Sequence, residues 1–515
     1  MGLIPKSAAH DTFTVSTVYN GQATSTRDIF GVLLKMDTRQ QDVHIGIVGA
    51  GIGGLATAIA LRKAGANVTV LEAAEQLGEI GAGIQMTPNV SVLLQRWGVD
   101  KVIGGNLVQF EELNMRRKDG TKVGHTTIPT VEQSLGRPWW VVHRAHLHEG
   151  LVTIAEQLGA KIHIDSAVSY IDYHNGDKVT VETRRGAKHT FDLLIGADGI
   201  NSITRKTLFP NVAPEPPTTN CAYRALVPYD QIRKDPVARQ LIEKLTMEVW
   251  MGHNAYIITY PINAGKMFNL VLSHHRPEKV RATQPDVPIE ELRNEYKDFD
   301  PRIKRIVHMI ESVSRWPLMV TGPLSTWSSP RKNVVLIGDA AHSMVNHMAQ
   351  GAATSMEDGA FLAKCIGKVV QGGINLQDAV RIYEEERMPK AYAKQQVSFL
   401  NGAIWHLPDG PAQRARDAAM APELQGKYHV RSSNLYGDPQ TVLEVYGYDV
   451  ERHAETALAK YLNQGREPCD PNTGVTPTMF DKYMGWFMPK ETNVAERPQA
   501  KPQQQQQQQQ LTARL

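Results

Sequence analysis

Cysteine is scarce in this chain. There are three among 515 residues, Cys221, Cys365 and Cys469, odd in number and far apart. They cannot build a disulfide framework, and they lack the paired spacing of a zinc site. The chemistry therefore calls for no structural metal and suits a reducing, cytoplasmic setting. Long apolar runs are missing too. None reaches the roughly 18–20 residues that cross a bilayer, so no stable membrane insertion is expected. Charge of one sign is not in excess either. Lys and Arg number 56, Asp and Glu 53, and a net charge of +3 is too mild to hold a nucleic acid backbone.

What remains is an ordinary soluble balance, 42% hydrophobic and 21% charged. A chain of this length exceeds what one hydrophobic core organises, so two joined domains are expected. The ends differ from the middle. Residues 1–41 are rich in Ser and Thr, lack periodicity and read as a flexible arm. Residues 466–515 read as a disordered tail, with an unbroken glutamine tract from Gln503 to Gln510.

The first chemical signal follows the arm. VHIGIV (43–48) is a buried strand by composition, and Gly49, Gly51 and Gly54 then spell G-x-G-x-x-G. LATAIALRKAG (55–65) has helical spacing, and ANVTVLE (66–72) is a second strand ending in Glu72. The order fits a dinucleotide. Gly49 permits a tight turn, Gly51 lets backbone approach a pyrophosphate and Gly54 lets the helix pack on the strand. The helix N-terminus faces phosphate charge, and Glu72 can accept from ribose hydroxyls. NAD and FAD both satisfy this motif.

Later stretches extend it. GEIGAGIQMTPN (78–89) is a glycine-rich loop containing Gly83. VVHRAHLHEGLVTIAEQLG (141–159) puts Arg144 at a strand–helix junction, where it can pair with phosphate or make a helix-start salt bridge. FDLLIGADGINSITRKTLF (191–209) ends a strand in Asp198-Gly199, which reads bare as a turn with a capped helix. NVVLIGDAAHSM (333–344) brings Asp339 to another strand end, and a helix opens at Gly351 and Ala352. No second complete glycine motif provides a separate nicotinamide domain.

The three motifs, in this order, resemble the single-component (group A) FAD-dependent aromatic monooxygenases of the para-hydroxybenzoate hydroxylase fold. GEIGAGIQMTPN, VHRAHL, CAYRALVP and VLEVYGYDVERHAE are similar to the salicylate hydroxylase-like branch, over about residues 42–465. The resemblance implies an α/β (mixed α+β) fold, a Rossmann-like FAD-binding domain interleaved with a mainly β substrate domain. It implies FAD held by Gly49, Gly51, Gly54, Glu72, Gly83, Arg144, Asp198, Asp339, Gly351 and Ala352. Asp339 would meet the ribitol and ribose region. The helix from Gly351 would aim its positive end at the isoalloxazine, where charge develops on reduction. The implied reaction uses NADH or NADPH and O2 to hydroxylate an electron-rich phenolic or hydroxypyridine ring through a flavin C4a-hydroperoxide. A monooxygenase or epoxidase of a fungal-type secondary-metabolite pathway is the alternative, and a non-catalytic flavin-binding protein ranks below it. The enzyme would be a monomer or homodimer.

On this pattern residues 42–210 form the first part of the FAD domain, with substrate-side strands about 105–140. Residues 211–329 form the substrate domain, 330–400 return to the FAD domain, and 401–465 are a C-terminal helical segment. LQDAVRIYEEERMPKAYAKQQVSFLNGAIW (376–405) reads as one long helix whose charges face solvent. Three residues are the pocket candidates. Arg224 in CAYRALVP suits a carboxylate or phenolate, and a surface strand arginine is the bland reading. Tyr256 and Tyr260 lie four apart on one strand, so they share a face, as phenol partners or as core aromatics. The run 249–272 reads as two strands around the hairpin signal Asn263-Ala264-Gly265. His253 is a weaker candidate and His342 reads as structural. The related hydroxylases carry a pattern like HPMLPYRAQG before the last helix, whereas this chain has HSMVNHMAQG. His347 there is either a pocket acid–base group or exposed.

Overall fold

The computed structural model describes residues 41–464 apart from 79–81, 177 and 429. The expected N-terminal arm and glutamine-bearing tail lie outside the described residues. From its start the chain runs β1 (His44–Val48), α1 (Ile52–Lys63) and β2 (Asn67–Leu71), as the glycine motif requires. Next come β3 (Gly83–Met86), α2 (Pro88–Trp97) and β4 (Val108–Gln109). The strands β5 (Glu112–Arg117) and β6 (Lys122–Thr127) precede β7 (Trp140–His143), α3 (Arg144–Gln157) and β8 (Lys161–His163). A small meander, β9 (Val168–Asp172), β10 (Val179–Thr183) and β11 (Lys188–Phe191), leads into β12 (Leu193–Gly196) and α4 (Ile203–Leu208).

The second half opens with β13 (Asn220–Pro228), β14 (Thr246–Gly252), β15 (Ala255–Ile262) and β16 (Met267–His275). Helices α5 (Ile289–Glu295) and α6 (Pro301–His308) and strand β17 (Ser314–Pro317) follow. The chain then returns through β18 (Val334–Leu336), α7 (Asp339–His342), α8 (Gly351–Val370) and α9 (Leu376–Trp405), and ends on α10 (Val450–Gln464).

The described strands form two large sheets and two three-stranded ones, β11-β10-β9 and β3-β7-β4. One is five-stranded and parallel, in the order β18-β12-β1-β2-β8. Apart from the edge strand β8 its strands are mostly apolar because helices cover it, and β1, β12 and β2 are buried beyond the first residues of β1 and β2. The other has seven strands, β17-β13-β16-β15-β14-β5-β6, antiparallel except where β14 meets β5. Strand β18 joins the first sheet only after the chain has built most of the second. The fold is therefore the interleaved α/β architecture that the motif order implies.

Period two divides the seven-stranded sheet into two faces. Tyr223, Ala225, Ile257, Leu270 and Leu272 pack beneath α5 and α6, with Leu292, Ile303 and Ile306. Ala222, Tyr256, Ile258, Tyr260 and Val271 face the other way, toward Trp139, Trp405, Tyr436 and Tyr446.

Two expectations need correction. Residues 249–272 contain two turns, not one. A turn at His253-Asn254, with Asn254 at φ 58°, separates β14 from β15 before the hairpin at Asn263–Gly265. His253 is exposed in that extra turn. Helix α9 is as long as its pattern predicts, but its charges do not form a solvated face. Glu384, Arg387 and Lys394 are buried. Their partners sit on neighbouring elements, which an amphipathic pattern within one helix does not reveal.

Candidate active site

The glycine turn opens into a cleft of about 410 Å³ at the C-terminal ends of the parallel strands, lined by Gly49, Gly51, Glu72, Asp198 and Asn201 among others. Gly49 sits at φ 101°, which only glycine adopts without strain. A side chain at Gly54 would collide with the Gly49 carbonyl, so the helix lies directly against the turn. Above Gly51 there is open space. The first turn of α1 carries no side-chain cap, which leaves its N–H groups directed at the cleft. The Glu72 carboxylate crosses the floor, accepting from Ala50 N–H at 2.6 Å and Ala74 N–H at 2.8 Å. This donor set, an anion-seeking turn beside an acid, fits the adenosine diphosphate half of a dinucleotide.

Asp198 behaves locally as a cap. It accepts from the Ser202 hydroxyl at 2.5 Å and from Thr204 N–H at 2.9 Å, so it shapes the turn that walls the cleft. Asp339 is exposed, yet its carboxyl is raised by desolvation, opposed by the charges of His342, Arg144 and Arg205. A carboxyl that is open to solvent and still feels burial lies on the wall of a recess rather than on the outer surface. Arg144 opens α3 and also acts electrostatically on Tyr260, so it stands between the recess and the tyrosines.

Gly351 and Ala352 are half-exposed at the start of α8. Behind them is a closed ionic network. Glu357 pairs with Lys394 at 2.6 Å and Arg387 at 2.9 Å, and Asp358 pairs with Arg387 at 3.0 Å. Asp358 also accepts from Gly338 N–H at 3.0 Å and contacts His342 Nε2 at 2.6 Å. Asn89 Nδ2 donates to Glu357, and Gln350 bridges Asn89 and Thr87. Desolvation opposes ionisation of both acids, but Lys394, Arg387 and His342 outweigh it and hold both below the usual carboxylate range. Lys394 is pushed down to about 8, by burial above all. The network ties the Gly338–His342 turn, the start of α2 and the N-terminus of α8 to one helix.

The pocket candidates come together on the face of the seven-stranded sheet opposite α5 and α6. Arg224 pairs in register with Val271, and Val271 with Ile258, between Tyr256 and Tyr260. Arg224 is half-buried, lies over Trp316 at 5.8 Å and bears electrostatically on both tyrosines. Burial raises the hydroxyls of Tyr256, Tyr260 and Tyr436, so all three stay neutral. Gly83 roofs the far end. Its N–H donates to Asn269 Oδ1 at 2.8 Å, and a side chain there would collide with the Tyr260 ring. His347 is buried and meets Tyr256 Oη through Nδ1 at 2.9 Å, which removes the exposed alternative. His342 is structural, as expected.

Several residues around the two tyrosines were not foreseen. Trp405 lies 4.8 Å from the Tyr256 ring, and Tyr436 stacks on Trp405 and Tyr446. Gln85 and Asn269 turn buried atoms, Oε1 and Nδ2, toward no partner among the described residues. Trp405 and the segment after it thus pack over the Tyr256 ring, at a sequence distance that no local pattern encodes.

Comparison with known proteins adds to this geometry. The family model described as FAD binding domain matches residues 42–398. The chain is 32% identical over 436 residues to the FAD-dependent monooxygenase OpS4 of Beauveria bassiana (strain ARSEF 2860), covering 82% of this chain and 99% of that relative. It is 32% identical over 411 residues to a 3-hydroxybenzoate 6-hydroxylase of Polaromonas naphthalenivorans (strain CJ2), covering 78% and 98%. In fold it is similar to a salicylate hydroxylase substrate complex, with TM-score 0.65 at 23% identity over 81% of this chain and 98% of that one. The structure of CtdE in complex with FAD and substrate 4 gives 0.70 at 19%, over 82% and 99%.

Proposed function

We propose, for a chain that belongs to the FAD-dependent monooxygenases and takes FAD as its cofactor, that it uses NAD(P)H and O2 to hydroxylate an electron-rich phenolic or hydroxypyridine ring. One observation carries this reading. Arg224, Tyr256 and Tyr260 share one sheet face, on which Trp405 and Tyr436 pack. Along β15 the two tyrosines are four residues apart, roughly 13 Å of strand, which spans a substituted aromatic ring. Arg224 is suited to pair with a carboxylate or phenolate and fix the ring's orientation. The aromatic walls exclude water and favour a flat apolar body.

Bound FAD supplies the activation of dioxygen; the protein supplies binding, orientation and a dry chamber. Glu72 and the Gly49–Gly54 turn are suited to the adenosine diphosphate half. Asp339, Arg144 and the N-terminus of α8 are suited to the ribityl and ring end. On this reading residues 42–210 and 330–400 serve the cofactor and 211–329 the substrate. The likeness to OpS4 favours a second reading, in which the ring belongs to a larger fungal-type secondary metabolite.

The test is a panel of salicylate, hydroxybenzoates and 6-hydroxynicotinate with the FAD-loaded protein, following NAD(P)H oxidation and peroxide together. The proposal expects at least one ring to speed NAD(P)H oxidation with little peroxide. Oxidation that no ring stimulates, or that ends wholly in peroxide, argues against these substrates and directs the search to larger phenols.

A further inference from the structure

The nucleotide cleft has an end to which the glycine turn and Glu72 do not reach. Beyond Glu72 its lining is Ala73, Ala167, Val168 and Arg184, three small apolar side chains and one cation. Among the described residues Arg184 is the only basic one that lines the cleft. Backbone hydrogen bonds fix the order of these groups. Ser166 N–H donates to the Glu72 carbonyl at 2.7 Å and Asp165 N–H to the Ala74 carbonyl at 2.8 Å, so the segment before β9 runs beside the end of β2. Arg184 N–H in turn donates to the Ala167 carbonyl at 2.8 Å. Along the cleft the groups therefore follow as the Gly49–Gly54 turn, then Glu72, then Ala73, Ala167 and Arg184.

Arg184 stands on a built turn between β10 and β11. Thr183 N–H donates to the Ala187 carbonyl and Gly186 N–H to the Thr183 carbonyl, each at 2.9 Å, and Gly186 takes φ 83°. The turn carries two adjacent arginines that are used differently. Arg185 pairs with Asp165. The Arg184 side chain is exposed, borders the cleft and makes no hydrogen bond, ion pair or ring contact with a described residue.

A guanidinium beside a shelf of small apolar groups suits a flat ring. A dinucleotide with its pyrophosphate at the N-terminus of α1 and a ribose on Glu72 has its base next, against Ala73, Ala167 and Val168. A guanidinium is planar and weakly hydrated, so one face can stack on an aromatic ring while its N–H edges stay in water. The phosphates do not call on this charge, because they lie on the other side of Glu72, where the free N–H groups of α1 meet them. We infer that Arg184 is a specificity-determining residue for the cofactor. It covers the adenine ring, and through it the cleft selects FAD over a flavin that lacks the adenylate. Arg184 acts on binding alone and moves no proton.

This inference rests on the reading that the cleft takes the adenosine diphosphate half of FAD. The test titrates the full chain, freed of flavin, with FAD and with FMN, following flavin fluorescence, and repeats the FAD titration with ADP as competitor. The wild type is expected to bind FAD more tightly than FMN and to lose FAD to ADP. Arg184→Leu keeps an apolar stem but removes both plane and charge. It should weaken FAD by about tenfold and leave FMN unchanged. Arg184→Lys keeps the charge without the plane, so it should fall close to the leucine variant.

A lysine variant with wild-type FAD affinity would show that charge and not the plane binds, and would overturn the assignment to the base. FAD affinity unchanged in both variants, or a loss for FMN as large as that for FAD, overturns it as well and leaves the cleft as the adenosine diphosphate site. A wild type that binds FMN as tightly as FAD, and from which ADP displaces no FAD, contradicts the reading of the cleft itself, and the inference falls with it.

Discussion

Two clusters of buried polar side chains meet at the segment from Asn346 to Gly351, and they are built on opposite rules. On one side Gln350 joins the network of Glu357, Asp358, Arg387 and Lys394, in which every charge has a partner inside the protein. On the other side His347 joins the cluster of Tyr256, Tyr260, Arg224 and Asn269, where neutral groups dominate and Asn269 Nδ2 has no partner among the described residues. In the first cluster the charges are paired within the chain, and only His342 Nδ1 lacks a partner among the described residues. The second keeps one cation among neutral groups and an unpaired amide. Burial alone does not mark a site; a lone cation among neutral groups is a better candidate than a set of mutually paired charges.

Removing a charge from the closed cluster should have the largest effect on stability. Arg387→Met strands Glu357 and Asp358 in the interior, and about 3–5 kcal/mol of unfolding free energy should be lost. Denaturant unfolding of the FAD-loaded protein measures it. A loss below about 1 kcal/mol would place the acids in contact with water and dissolve the contrast.

A charge removed from the open cluster should spare the fold and damage turnover. Arg224→Ala should lower kcat/KM by roughly 2–4 kcal/mol in transition-state terms if the pair with substrate is buried, with FAD affinity unchanged. Arg224→Lys keeps the charge but loses the planar fork, so it should fall between and divert NAD(P)H toward peroxide. Wild-type coupling in both variants makes Arg224 a bystander.

A smaller effect is expected at the nucleotide cleft. Glu72→Ala removes the acceptor of two backbone N–H groups and the candidate ribose ligand, and should weaken FAD binding by about 1–2 kcal/mol without unfolding the protein. Fluorescence titration of apoprotein with FAD reads this directly. Equal affinity would assign Glu72 to the turn alone.

The most subtle contrast is in pH. Glu357 and Asp358 have folded values below their ordinary ones, chiefly because Lys394, Arg387 and His342 outweigh desolvation. A depressed carboxylate contributes stability that is present above its unfolded value and is lost as pH falls through the folded one. Wild-type stability should therefore drop below about pH 4, the ordinary carboxylate range. The double variant Glu357→Gln, Lys394→Met should drop less steeply there. Parallel acid profiles would show that the network contributes nothing to acid stability.

Much of this was legible in the chain. The strand–glycine–helix–strand–acid order located the cleft because each step is local, and period two put Tyr256 and Tyr260 on one face, while Arg224 rested on the family resemblance and joins them only through the strand register. The three ordered motifs identified the family. What was missed depends on distant partners. The charges of α9 look solvated within their own helix; their buried acids are Glu357-Asp358 on α8, and an acidic pair inside an apolar helix was the available hint. Tyr436, Gln85 and Trp405 reach the chamber from three separate segments, so no spacing rule unites them.

The central claim is that this chain transfers one atom of dioxygen to an aromatic ring. The most direct test supplies isotopically labelled O2 to the FAD-loaded protein with NAD(P)H and a ring that stimulates turnover, and weighs the product by mass spectrometry. The account predicts one labelled oxygen atom in the product. An added oxygen that carries the label of water, or a product with no added oxygen, would contradict it.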